Sequence, residues 1–357
     1  MRRLLSQLSF PLVQAPMAYA QGVELTAAVC RAGALGSLPA AMFAPDTLDA
    51  ALHELRSLIG DAPYNLNFFA HRPQSVTAEQ RAAWHRLLAP HLARFGLAES
   101  DIPTDAGRNP FDEAMLEVVR RHRPAVVSFH FGLPQSSLLT AVKDSGALVL
   151  GNATTADEAR WLEGQGADGI IVQGLEAGGH RGMFLSSDLT RQSGLFALLP
   201  NVRRAVSLPL IAAGGISDSA AVRAALDLGA DAVQCGSAFL LADEAKTSPA
   251  YRAALQSPQA ADTVLTNLFS GGIARGIRSA YIDEAGPIHP AALPFPQAGA
   301  AAGLLRRAAE QAGSSEYSSF WAGQNVLAAR PGSAAKIVAR LAAGFQAAFV
   351  YVSRQAA

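Results

Sequence analysis

One rhythm runs through the first 241 residues and leaves few folds open. Short apolar runs end in Gly, Pro or polar residues, and each is followed by an Ala-, Leu- and Arg-rich stretch of helical composition. The runs fall at residues 11–16 (PLVQAP), 34–38 (ALGSL), 64–69 (YNLNFF), 125–132 (AVVSFHFG), 147–151 (ALVLG), 169–172 (GIIV), 209–215 (PLIAAGG) and 232–241 (AVQCGSAFLL). Helices are predicted over 23–31, 45–59, 111–121, 136–143, 156–164, 194–206 and up to residue 228, the last with Asp218 as its N-cap. Alternation of this kind builds a parallel sheet from βα units. With eight such units the last strand can pair with the first and leave no edge, so the expectation is an α/β fold, a closed (β/α)8 TIM barrel.

The rhythm breaks twice. Residues 72–110 carry one helical stretch and then lose their pattern, an excursion above the third strand. Beyond residue 243 the composition shifts to Ala, Gly, Ser and Pro with weak strand signals. This predicts a barrel over 1–243, a smaller, partly helical cap over 244–330, and a C-terminal helix within 331–357 that packs back on the barrel. The chain is half apolar, with 29 basic and 29 acidic residues and no net charge. That offers no electrostatic footprint for nucleic acid or an anionic membrane surface, and points to a small-molecule partner. No window approaches the ~18–20 uninterrupted apolar residues of a membrane span, and the N-terminal apolar run is too interrupted for a signal peptide, so a soluble cytoplasmic protein is expected. Cys30 and Cys235 have no companions at metal-ligand spacing and read as buried hydrophobes, with no metal site and no disulfide.

The chemistry concentrates in residues 169–182, GIIVQGLEAGGHRG, where a buried run passes at once into glycines, a carboxylate and a histidine. His180 therefore falls just past the C-terminal end of the sixth strand, on the rim where barrels of this kind do their chemistry. A neutral imidazole there can take a proton near pH 7, and Gly178 and Gly179 let the main chain pass close to a planar ligand. Two readings stay open for His180, a general base and a polar loop residue. Asn67 and Gln173 sit at strand ends, able to bond the edge of a flavin ring or to satisfy loop backbone. Glu176 is open between orienting a partner and being solvated. Gly214 and Gly215 follow the seventh strand in AAGGIS, and Gly236 and Ser237 follow the eighth in QCGSAF. Loops at those positions commonly hold phosphate through backbone N–H groups, though tight βα turns would look the same. No GxGxxG follows the first strand and no GxxxxGK[ST] occurs, so a mononucleotide such as FMN suits these loops better than a dinucleotide or a P-loop ligand. His71, His130 and His289 lack metal-ligand companions, and Ser128 has no paired base for a hydrolytic triad.

Taken in order, QAPMA (14–18), NLNFF (65–69), SFHFG (128–132), VQGLEAGGHRG (172–182), AAGGISD (212–218), QCGSAFL (234–240) and WAGQ (321–324) resemble the nitronate monooxygenase family, formerly the 2-nitropropane dioxygenases, in its class I branch. The resemblance spans nearly the whole chain. It implies FMN at the C-terminal mouth of the barrel, with Ala15, Pro16, Met17, Asn67 and Gln173 flanking the isoalloxazine. Gly178 and Gly179 would approach the flavin or its ribityl chain, while Gly214, Gly215, Gln234, Cys235, Gly236 and Ser237 would hold the phosphate end. His180 matches the catalytic histidine. The implied reaction is oxidative denitrification of alkyl nitronates, such as the toxic propionate 3-nitronate, with O₂, giving a carbonyl compound and nitrite without NAD(P)H. A homodimer stands as an expectation with no sequence signal of its own. Three departures touch the pattern: Ser237 replaces Thr, Gly272 in FSGG replaces Arg, and PFPQAG (294–299) puts Phe295 where Tyr is usual and lacks an Asn. Two other functions compete. One is an NAD(P)H-dependent flavin reductase of the enoyl-ACP reductase or quinone reductase type, which shares an EAGGH-like turn; the other is a non-catalytic flavin- or phosphate-binding module.

Overall fold

Each apolar run becomes a strand because both of its faces are covered, as a parallel sheet requires. The computed structural model describes residues 1–104 and 107–355, with 346–355 as helix backbone only; residues 356–357 of the expected C-terminal helix segment lie outside the described residues. The barrel strands are β1 (Leu12–Gln14), β2 (Gly36–Pro39), β3 (Tyr64–Phe69), β4 (Val126–His130), β5 (Leu148–Ala153) and β6 (Gly169–Gln173). After a two-residue strand β7 (Gly179–His180) outside the barrel, β8 (Leu210–Ala213) and β9 (Ala232–Cys235) complete it. All eight run parallel in the order β1-β9-β8-β6-β5-β4-β3-β2. The ring closes between β1 and β2, where Gln14 N–H donates to the Leu35 carbonyl at 2.9 Å and Leu35 N–H to that of Leu12 at 2.9 Å. The eighth strand ends at Cys235, shorter than the 232–241 run, because Ser237–Phe239 turns into a 3-10 helix directly after Gly236.

Helices Val23–Arg31, Pro45–Ile59, Glu113–His122, Ser136–Asp144, Ala156–Gly164, Leu195–Ala205 and Ser219–Asp227 surround the strands. Asp218 caps the last of these, accepting from Ala221 N–H at 2.8 Å. Helix Ala334–Gln355 fills the remaining place. Its Ile337, Val338, Leu341 and Ala342 join a core with Leu25, Val29, Val222 and Ala225. It is the eighth helix of the barrel, so the chain between β9 and Ala334 is an insertion within the last βα unit.

That insertion contains β10 (Thr263–Thr266) and β11 (Ala274–Ile277), antiparallel to each other, with β11 also pairing β7. It shares a core with the excursion: Trp84, Leu88 and Leu92 of helix Ala78–Ala93 pack with Leu268, Phe269, Tyr281, Ile282 and Leu305. The cap therefore draws on two βα loops, the third and the eighth. Both stand at the C-terminal face.

The opposite face is closed by helix Arg2–Gln7, which the sequence pattern did not signal. Leu5 is buried there, with Met1, Leu4 and Leu8 packed against the inward residues Val13, Leu35, Val126, Leu150, Ile171 and Ile211. Without this plug the barrel's lower layer would meet water. Leu5→Ala is expected to lower the urea unfolding midpoint by the equivalent of about 2 to 4 kcal/mol. An unchanged midpoint would show that the helix does not seal the barrel.

Candidate active site

The loop leaving β6 is fixed before it reaches His180. Arg181 is 1% exposed, and its guanidinium donates to the carbonyls of Gly174 at 2.6 Å and Gln173 at 2.9 Å and to Gln192 Oε1 at 2.8 Å. Burial lowers its pKa to about 10, with Arg275 adding to the shift. Glu176 is not a free rim carboxylate: both its oxygens accept from Leu195 N–H at 2.9 Å, at the start of helix Leu195–Ala205. Glu158, 1% exposed, holds the far side of the loop by accepting from Phe184 N–H at 2.7 Å and from Thr154. Gln173 uses its amide on the same loop, donating to the His180 carbonyl at 2.9 Å and accepting from Gly182 N–H at 2.9 Å. Of the two readings of Gln173, the structure displays the bonding to loop backbone, while one amide proton has no partner among the described residues.

β7 then pairs with β11 through Ala274↔His180 and Arg275↔Gly179, which aims the imidazole beneath the cap. The ring lies 5.3 Å from that of Phe295, 5.5 Å from Trp321 and 6.1 Å from Phe131. Its Nε2 is 2.7 Å from Ser270 Oγ. That hydroxyl has Gly272 N–H as a second donor and the Gly272 carbonyl as a weak acceptor at 3.4 Å. Ser270 can therefore serve either imidazole tautomer, and Nδ1 has no protein partner among the described residues. Burial, then the charge of Arg108 and His130, hold the His180 pKa well below its ordinary value. The ring is neutral at pH 7. His130, which had no assigned role, donates from Nε2 to the His180 carbonyl at 3.1 Å. Gly272, where the family pattern has arginine, is packed so closely that a Cβ would lie 3.1 Å from the imidazole and 3.1 Å from the Phe295 ring.

One cavity at the barrel mouth gathers Ala15, Pro16, Met17, Asn67, Gln173, Gly178, Gly179, His180, Gly214, Gly215, Gln234, Gly236 and Ser237. Cys235 is the exception. It is 1% exposed and faces the packing between strand and helices with Leu12, Val233 and Phe239; its neighbours Gln234 and Gly236, in alternation with it, reach the cavity. Asn67 is held by Ser128, donating to its Oγ at 2.9 Å, so Ser128 is a support for amides. The 15–17 segment is pinned by Gln21, whose Oε1 accepts from Met17 N–H at 2.7 Å and from Gln14. Gly178 packs on the chain itself, since a Cβ there would lie 2.5 Å from the Ala322 and Gly323 backbone. Ser237 Oγ accepts from Gly323 N–H at 2.9 Å, leaving its own proton to donate, and Asn325 donates to the Gly215 carbonyl at 2.9 Å. The 321–325 segment thus closes the late-strand loops. Among the described residues no acceptor is found for the N–H groups of Gly215, Gly236 and Ser237. Two buried side-chain atoms lining the cavity are also unpartnered, Gln234 Oε1 and Asn152 Nδ2. On the outside of the barrel Asp49, His53 and His122 cluster within 4.8 Å, with Asp49 already paired to Arg121 and His122.

A closed parallel barrel with a neutral histidine and convergent N–H groups at its C-terminal mouth is the arrangement of a barrel enzyme with its site on the βα loops. Residues 2–344 match the family model described as nitronate monooxygenase. Nitronate monooxygenases of Paraburkholderia phytofirmans and Pseudomonas aeruginosa are each 40% identical to this chain, over 93% of it and 91% and 95% of their own lengths. A solved structure of nitroalkane oxidase from Streptomyces ansochromogenes superposes with a TM-score of 0.90 at 37% identity, covering 98% of this chain and 99% of that one. FabK from Thermotoga maritima superposes with a TM-score of 0.73 at 26% identity, covering 99% and 98%. The chain belongs to the nitronate monooxygenase family and is an oxidoreductase. Among the described residues no helix is long and apolar enough to cross a membrane.

Two outcomes follow from this packing. His130 and His71 have pKa values lowered to about 4, each chiefly by burial, while the unfolded chain protonates near ~6.5. The unfolded state alone takes up protons as pH falls, so the contribution of these residues is complete above about 6.5 and is lost on the way down to about 4. Urea midpoints measured across that range should fall, with a shallower slope in His130→Gln. Separately, Gly178→Ala should cost about 1 to 3 kcal/mol by forcing the 322–323 backbone outward. A calorimetric melting curve matching wild type would mean that this contact is not tight.

Proposed function

We propose that this chain holds FMN at the barrel mouth and uses O₂ to oxidise alkyl nitronates to a carbonyl compound and nitrite. The observation that carries the reading is the neutral His180, with an unpartnered ring nitrogen, in the same cavity as the unpaired N–H groups of the β8 and β9 turns. Those groups suit a phosphate, since backbone N–H donors at a helix start favour an anion. The lone acceptor Gln234 Oε1 and the lone donor Asn152 Nδ2 suit a ring edge that carries both donor and acceptor atoms. Gly236 leaves room, because a Cβ there would meet only Ala15 Cβ at 3.4 Å and Met17 Sδ at 3.8 Å. On this reading Ala15, Pro16, Met17, Asn67 and the free amide proton of Gln173 flank the isoalloxazine. Gly178 and Gly179 border it, Gln234 reaches its edge, and Gly214, Gly215, Gly236 and Ser237 hold the phosphate end. Bound FMN supplies the redox chemistry that none of these side chains can perform.

The protein's own part is proton and charge placement. With the Nε2 proton donated to Ser270, His180 Nδ1 presents a lone pair and can remove a proton from a neutral nitroalkane. With the Ser270 hydroxyl donating to Nε2 instead, Nδ1–H can donate to a nitronate oxygen. Low pKa keeps the ring available as a base down to mildly acidic pH. The Phe131, Phe295 and Trp321 rings flank the imidazole with apolar surface, and a lower local dielectric strengthens both interactions. The 40% identity to nitronate monooxygenases over most of the chain supports this reading over an NAD(P)H-dependent reductase.

Anaerobic mixing of the FMN-loaded protein with a nitronate should bleach the flavin, and admission of air should release nitrite. Neither event, or rapid bleaching by NADH or NADPH alone, would overturn the assignment. His180→Asn should reduce kcat/KM by ~10²-fold or more for a neutral nitroalkane and by less for the preformed nitronate, because only the first requires proton removal.

A further inference from the structure

We infer that Arg108, brought in by the 72–110 excursion, anchors a carboxylate carried by the substrate and thereby sets the specificity of this site. The inference rests on the reading of the cavity as a nitronate site. Arg108 is the only arginine or lysine among the described residues that line the His180 cavity, and it also lines an adjoining chamber beneath helix Ala78–Ala93. Its Nη1 is buried and has no hydrogen-bond partner among the described residues. Its guanidinium rests instead against π faces, 5.8 Å from the ring of Phe295 and 5.8 Å from that of Tyr19. No Asp or Glu is among the described residues lining either space.

The chamber repeats the imbalance. Trp84 is 1% exposed, and its Nε1, which can only donate, has no acceptor among the described residues; His71 Nδ1, a donor in one imidazole tautomer, is likewise buried and unpartnered there. A buried donor without an acceptor carries its full desolvation cost, so donors converging on open space point to a ligand acceptor. A guanidinium beside aromatic faces, with no carboxylate among the described residues that line these spaces, leaves a place for one from outside. The planar fork of Arg108 matches two carboxylate oxygens as an ammonium would not.

Geometry also limits the ligand's length. Phe295 lies 5.3 Å from the His180 ring and 5.8 Å from the Arg108 guanidinium carbon, so the two groups flank a single phenyl ring. A short aliphatic acid can reach both, with its nitronate end at His180 and its carboxylate at Arg108. Gly272 contributes no competing side chain beside the imidazole.

Two measurements on FMN-loaded wild type, Arg108→Gln and Arg108→Lys test this. In the nitrite assay, the nitronates of 3-nitropropanoate and 1-nitropropane form a pair matched in chain length. Arg108→Gln should lower kcat/KM for the acid by between about 10- and 100-fold, mainly through KM, and change the neutral nitronate by less than about threefold. Arg108→Lys should fall between the two. Equal losses on both substrates, or none on either, would overturn the inference. Calorimetric titration with succinate, a short diacid that is not oxidised this way, gives a readout independent of turnover. Wild type should bind it, with affinity at least ~10-fold weaker in Arg108→Gln. Absent or unaltered binding sinks the role of Arg108 even if nitrite forms, whereas Arg108-dependent binding without nitrite from either substrate would sink the proposed reaction and keep the anion site. Unchanged melting temperatures of the variants would exclude a folding defect.

Discussion

The placement of His180 depends on a buried guanidinium one residue away. Arg181 is a charge taken almost wholly out of water, which costs several kcal/mol unless its donors are met. They are met by the carbonyls at the end of β6 and by Gln192, so the loop cannot leave the strand without stranding a cation. With Arg181 held inward, the alternation of an extended chain turns His180 the other way. Glu158 and the amide of Gln173 tie the same loop from two further sides. The fixed direction of the imidazole comes from these neighbours.

The pairing of β7 with β11 extends that constraint to the cap. Because β11 belongs to the insertion in the eighth βα unit, the cap is anchored on the loop that carries His180. Ser270, Phe295 and Trp321 reach the imidazole from this insertion, and Arg108 comes from the third-unit insertion that shares its core. The barrel supplies a rigid floor and the late-strand turns, and the two insertions supply residues around His180. This division is what loops on a stable scaffold allow, since their sequence can change without disturbing the sheet.

Much of the barrel was legible in the chain. YNLNFF became β3 over Tyr64–Phe69, and the helix over Pro45–Ile59 came out with its expected bounds, because covered strands and amphipathic helices write their periods locally. Helix Arg2–Gln7 was not legible: six residues with two leucines carry no period long enough to read, and its burial exists only because a barrel end lies over it. β7 was hidden for a similar reason, as two residues become a strand only when a distant partner pairs with them. The run 232–241 read as one strand although its second half turns away at Gly236, since apolar residues fill helix and strand alike.

The candidate site divides along the same line. The order of glycines, amides and His180 in the sequence was enough to place the residues of the mouth cavity on the ends of successive strands, because a parallel barrel brings all such ends to one face. That much is topology, and topology follows from the repeat. Only the tertiary structure decided that Gln173 bonds the loop, that Cys235 faces away, that Gly178 makes room for the chain itself, and that Ser270, His130 and Arg108 lie around the His180 pocket. Those facts depend on pairings between residues as far apart as His180 and Ser270 or Gly178 and Gly323. Contacts across that separation leave no periodic trace in a single sequence, since each partner satisfies its local pattern whether or not the other is near.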